Sequence, residues 1–144
     1  MAESGLYTPI SLDDAVDRTA AVYRRLTDAG VRVIRVGLCA AENLTSDDTY
    51  YAGPNHSALG ELVQNEIYYQ LIYEKAIALK PSGADILCVR VPTQSLSKAI
   101  GQRKRNKLLL IESLGVADVK FIGDGSLSDC EILVSVKEGE NKCI

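Results

Sequence analysis

Five cations crowd into ten consecutive positions of this 144-residue chain: Lys98, Arg103, Lys104, Arg105 and Lys107, with no acid among them. Cations gathered in one turn region attract phosphate groups, because each neutralised phosphate releases condensed counterions. Gly101 lies inside the run, in AIGQRKRNK, where the lack of a Cβ allows a backbone to come close to an anion. The remaining candidate positions are sparser. Glu42 and Asn43 follow an apolar run, and Asp47 and Asp48 extend an acidic loop that lacks the regular ligand pattern of a calcium site. His56, the only histidine, stands in GPNHS. It has no partner at metal-ligand or triad spacing, so its plain reading is loop packing or a hydrogen bond to a helix start, and its functional one a group titrating near neutral pH. The phosphate-cradling patterns G-x-x-x-x-G-K-[ST] and G-x-G-x-x-G occur nowhere.

The four cysteines, Cys39, Cys88, Cys130 and Cys143, are 49, 42 and 13 positions apart, and no pair has the spacing of metal ligands. Reduced thiols are expected, with Cys88, inside DILCVRV, acting as a small buried hydrophobe.

At 47% hydrophobic and 24% charged residues, the chain carries enough apolar surface for one folded unit or two small coupled ones, which excludes a disordered class. No apolar run approaches the roughly 20 residues needed to cross a bilayer, and MAESGLYTPIS has neither a basic start nor a hydrophobic signal core. A cytoplasmic location is the expectation. The net charge of -3 is unevenly spread: residues 1–66 hold ten acids and five bases, whereas residues 67–144 hold nine acids and eleven bases. A general nucleic-acid coat is therefore not supported, only a local basic turn.

The elements that must position these residues read in order. Ser11 can cap a helix that stops at Gly30, with Leu12, Ala15, Val16, Thr19, Ala20, Val22, Tyr23 and Leu26 at helical spacing. Val31, Val33, Ile34 and Val36 form a β-branched run closed by Gly37, as in a strand covered on both faces. The strand that should precede the helix in a βαβ unit is missing, which predicts a chain cut from something longer. After a long polar loop, a second helix is predicted from Ser57 to about Leu79, with Leu59, Leu62, Val63, Ile67, Leu71, Ile72 and Ile77 on its apolar face. Tyr68, Tyr69 and Tyr73 interleave with that face, more simply as core edge than as a base-stacking platform. From Asp85 the pattern predicts strand (ILCVRV), short helix (Leu96 to Ile100), turn (Gly101 to Lys104), helix (Asn106 to Leu114) and strand (Val119 to Ile122). A turn at GDGS (Gly123 to Ser126) and a strand from Ile132 to Val136 follow.

Several stretches, YTPISLDDAV, IRVGL, AEN, AGPNHSALGELV and SLSKAIGQRKRNKLLL, together resemble the C-terminal part of a family of bacterial radical-SAM iron-sulfur oxidoreductases. That family is distantly similar to the elongator catalytic subunit and to oxygen-independent coproporphyrinogen oxidase. The resemblance implies α/β architecture: residues 1–56 as a barrel-end helix, last strand and rim loop, and residues 57–144 as an accessory α/β domain. The loop leaving the strand's carboxyl end would then put Glu42, Asn43 and His56 on the substrate side. The family's CxxxCxxC loop is absent, so a [4Fe-4S] cluster and S-adenosylmethionine are expected in a full-length parent and no cofactor or metal in this chain. The implied partner is the parent's N-terminal barrel.

From about residue 84 the β-α-turn-α-β-β order resembles a KH-like module, whose GxxG loop approaches nucleic-acid phosphates. Gly101 matches the first glycine and Lys104 stands in place of the second. That resemblance makes Lys98, Gly101, Arg103, Lys104, Arg105 and Lys107 the RNA-binding candidates, with tRNA one possible partner. A third expectation is a homodimer of the fragment through an exposed strand edge.

Overall fold

Ser11 opens the first helix as its spacing predicts. In the computed structural model, which describes residue 5 and residues 8–37 and 58–138, the Ser11 Oγ accepts the Asp14 N–H at 3.1 Å, and α1 runs Leu12–Asp28. Its far end closes as a Schellman motif. The Gly30 N–H donates to the Thr27 carbonyl at 3.0 Å and the Val31 N–H to the Leu26 carbonyl at 2.8 Å, while Gly30 takes a φ of 76°. Ala15, Val16 and Ala20 are its buried residues; Val22 and Leu26, at the same helical spacing, are exposed.

The chain divides into two compact units, Met1–Val63 and Gln64–Ile144. In the first, the strand expected over Val31–Val36 does not form. A strand exists only when its backbone groups find a ladder, and the described residues of this unit offer none. Val31 is 49% and Ile34 89% exposed, so the β-branched run is not covered on two faces. At its end, Val36 and Gly37 lie against the first turn of α2, Leu59–Ala78: a Cβ on Gly60 would meet the Val36 carbonyl at 3.5 Å, and one on Gly37 the Leu59 side chain, also at 3.5 Å.

The second unit follows the predicted element order closely: β1 Asp85–Pro92, α3 Leu96–Ile100, α4 Arg105–Leu114, β2 Asp118–Asp124 and β3 Leu133–Glu138. One-turn 3-10 segments at Thr93–Ser95 and Gln102–Lys104 lead into α3 and α4. The sheet order is β2-β1-β3, with β1 parallel to β2 and antiparallel to β3. Register decides which face each side chain takes. Leu87 stands between Val119 and Val136, and Val89 between Phe121 and Val134, so alternate residues of all three strands point to one side. There they pack with Tyr68, Ile72 and Ala76 of α2, Ala99 of α3 and Leu110 of α4, a helix layer on one sheet face. Among the described residues the fold is thus mixed α/β, four α-helices and one three-stranded sheet.

Three expectations change at this level, and the core-edge reading of the tyrosines holds. GDGS is not a hairpin turn, because Gly123 and Asp124 belong to β2 and the chain then passes to the opposite edge of β1. Ile77 is 51% exposed, since it stands one residue beyond the fully buried Ala76 and so points to another side of the helix. Tyr68 is buried in the core, and Tyr69 and Tyr73 stack beside it with ring centroids 6.0 Å apart, which is packing rather than an open platform. Cys88 is buried as expected, yet it is disulfide-bonded rather than a reduced thiol; Cys130 is the free, exposed cysteine among the described residues. No helix among the described residues is long and apolar enough to cross a membrane.

Candidate functional site

The basic run folds into the connection between α3 and α4. Gly101 ends α3 with φ 78° and ψ 161°, and a tight turn closes behind it through a 3.1 Å bond from the Lys104 N–H to the Gly101 carbonyl. No other residue fits at 101. Besides the positive φ, a Cβ there would lie 3.0 Å from Asn106 Cγ and 3.1 Å from both the Asn106 backbone nitrogen and Oδ1. Arg103 (φ 50°) and Lys104 (φ 60°) both take the left-handed conformation, which costs an L-residue free energy and suits glycine. Lys104 therefore occupies a glycine-type backbone position, although its side chain is a lysine.

The six candidate residues separate by what their side chains do. Lys98, Arg103 and Lys104 are exposed and make no ion pair among the described residues. Arg105 is engaged: its Nη1 donates to Glu66 Oε2 at 3.1 Å, where the Glu66 side chain is 8% exposed and also accepts from Gln70 Nε2 at 3.1 Å. Lys107 reaches Asp118 Oδ1 at 2.9 Å. That hydrogen bond, before all else, holds the Asp118 carboxyl below its ordinary pKa, assisted by the Val119 N–H and the nearby Lys120 charge. Gly101 is buried beneath the exposed cations. Glu42, Asn43 and His56 lie outside the described residues.

Two polar residues with no cation character organise the turn, and neither has a direct sign in the sequence. Asn106 is fully buried in the first turn of α4. Its Nδ2 donates to the main-chain oxygens of Asn65 at 2.7 Å, Ala99 at 3.1 Å and Lys98 at 3.4 Å. Lys98 and Ala99 are in the last turn of the five-residue α3, where carbonyls lack helical partners, so the carboxamide satisfies groups that α3 leaves open. Glu66 is the second, buried on α2 where the apolar spacing of that helix pointed only to core. An asparagine directly after a basic run, and an acid amid Ile67 and Tyr68, were the signals available.

At the other end of the parallel strands, Asp124 accepts from Arg90 Nη2 at 2.6 Å and from the Ser126 hydroxyl and N–H at 2.6 and 2.9 Å. Ser126, more than Arg90, lowers the Asp124 carboxyl pKa. This cluster ties β2 to β1, and within it the buried Arg90 Nε has no hydrogen-bond partner among the described residues.

Residues 1–69 match the family model of the Radical_SAM C-terminal domain. Over that segment the chain is similar to the radical-SAM C-terminal domain. The matched segment takes in α1, the irregular residues 31–37 and the first half of α2, including Asn65 and Glu66. The α3–α4 turn lies beyond it. No curated protein and no solved structure matches the chain. Among the described residues, no group of three or more His, Cys, Asp or Glu side chains is placed to hold a metal ion.

Proposed function

We propose that this chain is the C-terminal accessory region of a radical-SAM oxidoreductase, a cytoplasmic protein whose catalytic core lies on another part of the polypeptide. The family match over residues 1–69 carries this reading. It is supported by apolar surface in the same segment, Val22, Leu26, Val31 and Ile34, which is exposed where the parent's N-terminal barrel would cover it. The region would help to position substrate, with Glu42, Asn43 and His56 on the substrate side of the loop before α2.

The residues present do not fit a [4Fe-4S] cluster. Such a cluster needs closely spaced thiolates, and here the cysteines are 49, 42 and 13 positions apart, with Cys88 held in a disulfide. No reaction step is therefore assigned to this chain; the cluster and S-adenosylmethionine belong to the parent and supply the radical chemistry there. The test is reconstitution of the isolated polypeptide with ferrous iron and sulfide under reducing, anaerobic conditions. The expected result is no stoichiometric cluster absorption, and a stable cluster overturns the reading.

A second reading is favoured by one observation: the exposed cations Lys98, Arg103 and Lys104 surround a buried Gly101 in a β-α-turn-α-β arrangement. It takes residues from about 84 as a KH-like RNA-binding module, serving a tRNA-modifying parent. Binding of a single-stranded RNA oligonucleotide to the whole chain, lost in Lys98→Ala/Arg103→Ala/Lys104→Ala, is its test. Equal binding by the two proteins removes it.

A further inference from the structure

We infer that Asn106 is the positioning residue of the α3–α4 turn, setting where the Gly101–Lys104 backbone meets a phosphate group. The inference rests on the second reading above, in which that turn contacts RNA. An RNA phosphate approaches such a turn through main-chain atoms as well as through cations, so the height and tilt of the backbone matter as much as the charges. Exposed lysine and arginine side chains set neither.

Asn106 touches every element that bounds the turn. Its Nδ2 reaches α2 through the Asn65 carbonyl and the end of α3 through those of Ala99 and Lys98, while its backbone belongs to α4. Its other end faces Gly101, where a Cβ would stand 3.1 Å from Oδ1. That oxygen is buried and has no hydrogen-bond partner among the described residues. A buried acceptor left unpaired is unfavourable, and a residue chosen for helix stability alone would not keep it. What the carboxamide supplies in return is an NH2 whose two N–H groups are shared among three carbonyls, with a flat face against which only glycine fits. The left-handed backbone at Arg103 and Lys104 also persists only where the surrounding structure over-determines it, and the fully buried Asn106 anchors the start of α4 two residues after Lys104.

The experiment uses the full chain, isotopically labelled, as wild type, Asn106→Leu and Asn106→Ala, with amide NMR spectra and RNA titrations over a salt series. Asn106→Leu keeps the branched heavy-atom skeleton and removes the donors. It should shift the backbone amides of residues 100–105 while those of β1, β2 and β3 stay in place. RNA affinity should fall roughly tenfold, the scale of one or two lost buried hydrogen bonds, with the salt slope unchanged because all three free cations remain. Turn amides that do not move, or moved amides with wild-type affinity, overturn the inference. Should Asn106→Leu lose its sheet signals as well, Asn106→Ala removes the same donors without adding bulk. It should shift the same turn amides, and an undisturbed turn in that variant is equally fatal. A wild-type chain that binds no RNA defeats the RNA reading, and with it the phosphate-setting part of the inference. The amide shifts then decide separately whether Asn106 sets the turn.

Discussion

Arg105, at the start of α4, donates across to Glu66 on α2 at 3.1 Å, so the cation that looks most central in the basic run is neutralised by an almost buried carboxylate. Removing one partner of such a pair leaves the other poorly solvated. Arg105→Ala is expected to lower stability by about 1–2 kcal/mol, the arginine being half-exposed and the glutamate not. A chemical denaturation midpoint checks this. Because Arg105 is already paired, the same variant should leave the salt dependence of RNA binding nearly unchanged.

The three unpaired cations are predicted to behave in the opposite way. Replacing Lys98, Arg103 and Lys104 by alanine should leave the melting temperature close to wild type, since their side chains are exposed. It should flatten the log-log salt slope of single-stranded RNA binding by up to ~2, at about 0.7 per phosphate contact. Fluorescence anisotropy from low to moderate salt measures it, and a loss of stability without a change in slope would assign these residues to the fold instead.

Lys104 offers a gain rather than a loss. With φ at 60° it holds a backbone conformation that glycine adopts freely. Lys104→Gly should therefore raise stability by about 0.5–1 kcal/mol, visible as a melting temperature higher by about 2–4 °C. Restoring the second glycine of a GxxG turn also separates two contributions to binding: weaker RNA affinity in the more stable variant would make the lysine charge decisive, and stronger affinity the backbone approach.

Acid should unfold the second unit through two carboxylates. Lys107 first, and the Val119 N–H, hold the Asp118 carboxyl low; Ser126 first, and Arg90, do so for Asp124. A carboxyl with a lowered folded-state pKa contributes stability that is fully present above its unfolded value, near 4, and is lost as pH falls through the folded one. Stability from these two groups should thus be level from pH 7 to about 5 and decline below about 4. Asp118→Asn should be less stable at neutral pH and show a shallower acid decline, read from denaturation midpoints at each pH.

Most of the second unit was legible in the sequence because local signals and tertiary demand agree there. ILCVRV is β-branched and bounded by turns, Gly115 ends α4 with φ 62°, and both helices of the crossover lie where their spacing put them. The run Val31–Val36 carried an equally strong strand signal and failed, because strand formation needs a neighbour that periodicity cannot supply. The sheet order was hidden for the same reason: GDGS looks like a hairpin turn, but whether β3 joins β2 or β1 depends on which edge is free. At the candidate site the charges could be counted, yet which of them are spent internally could not. Glu66 and Asp118 are 39 and 11 positions from the cations that they neutralise. Asn106 was readable only as a helix residue, since its role lies in carbonyls contributed by two other helices.

The placement of β1 between two strands that both follow it has a consequence for synthesis on the ribosome. Leu87 and Val89 emerge long before Val119 and Phe121, and longer still before Val134 and Val136, the residues that flank them in the finished sheet. The nascent chain therefore holds a hydrophobic strand with both edges open until β2 has left the exit tunnel, and with one edge open until β3 has followed. In that interval α2, the first of its packing helices to be complete, can shelter it through Tyr68, Ile72 and Ala76. A helix that reads as packing in the native molecule is then also the chain's own escort during translation.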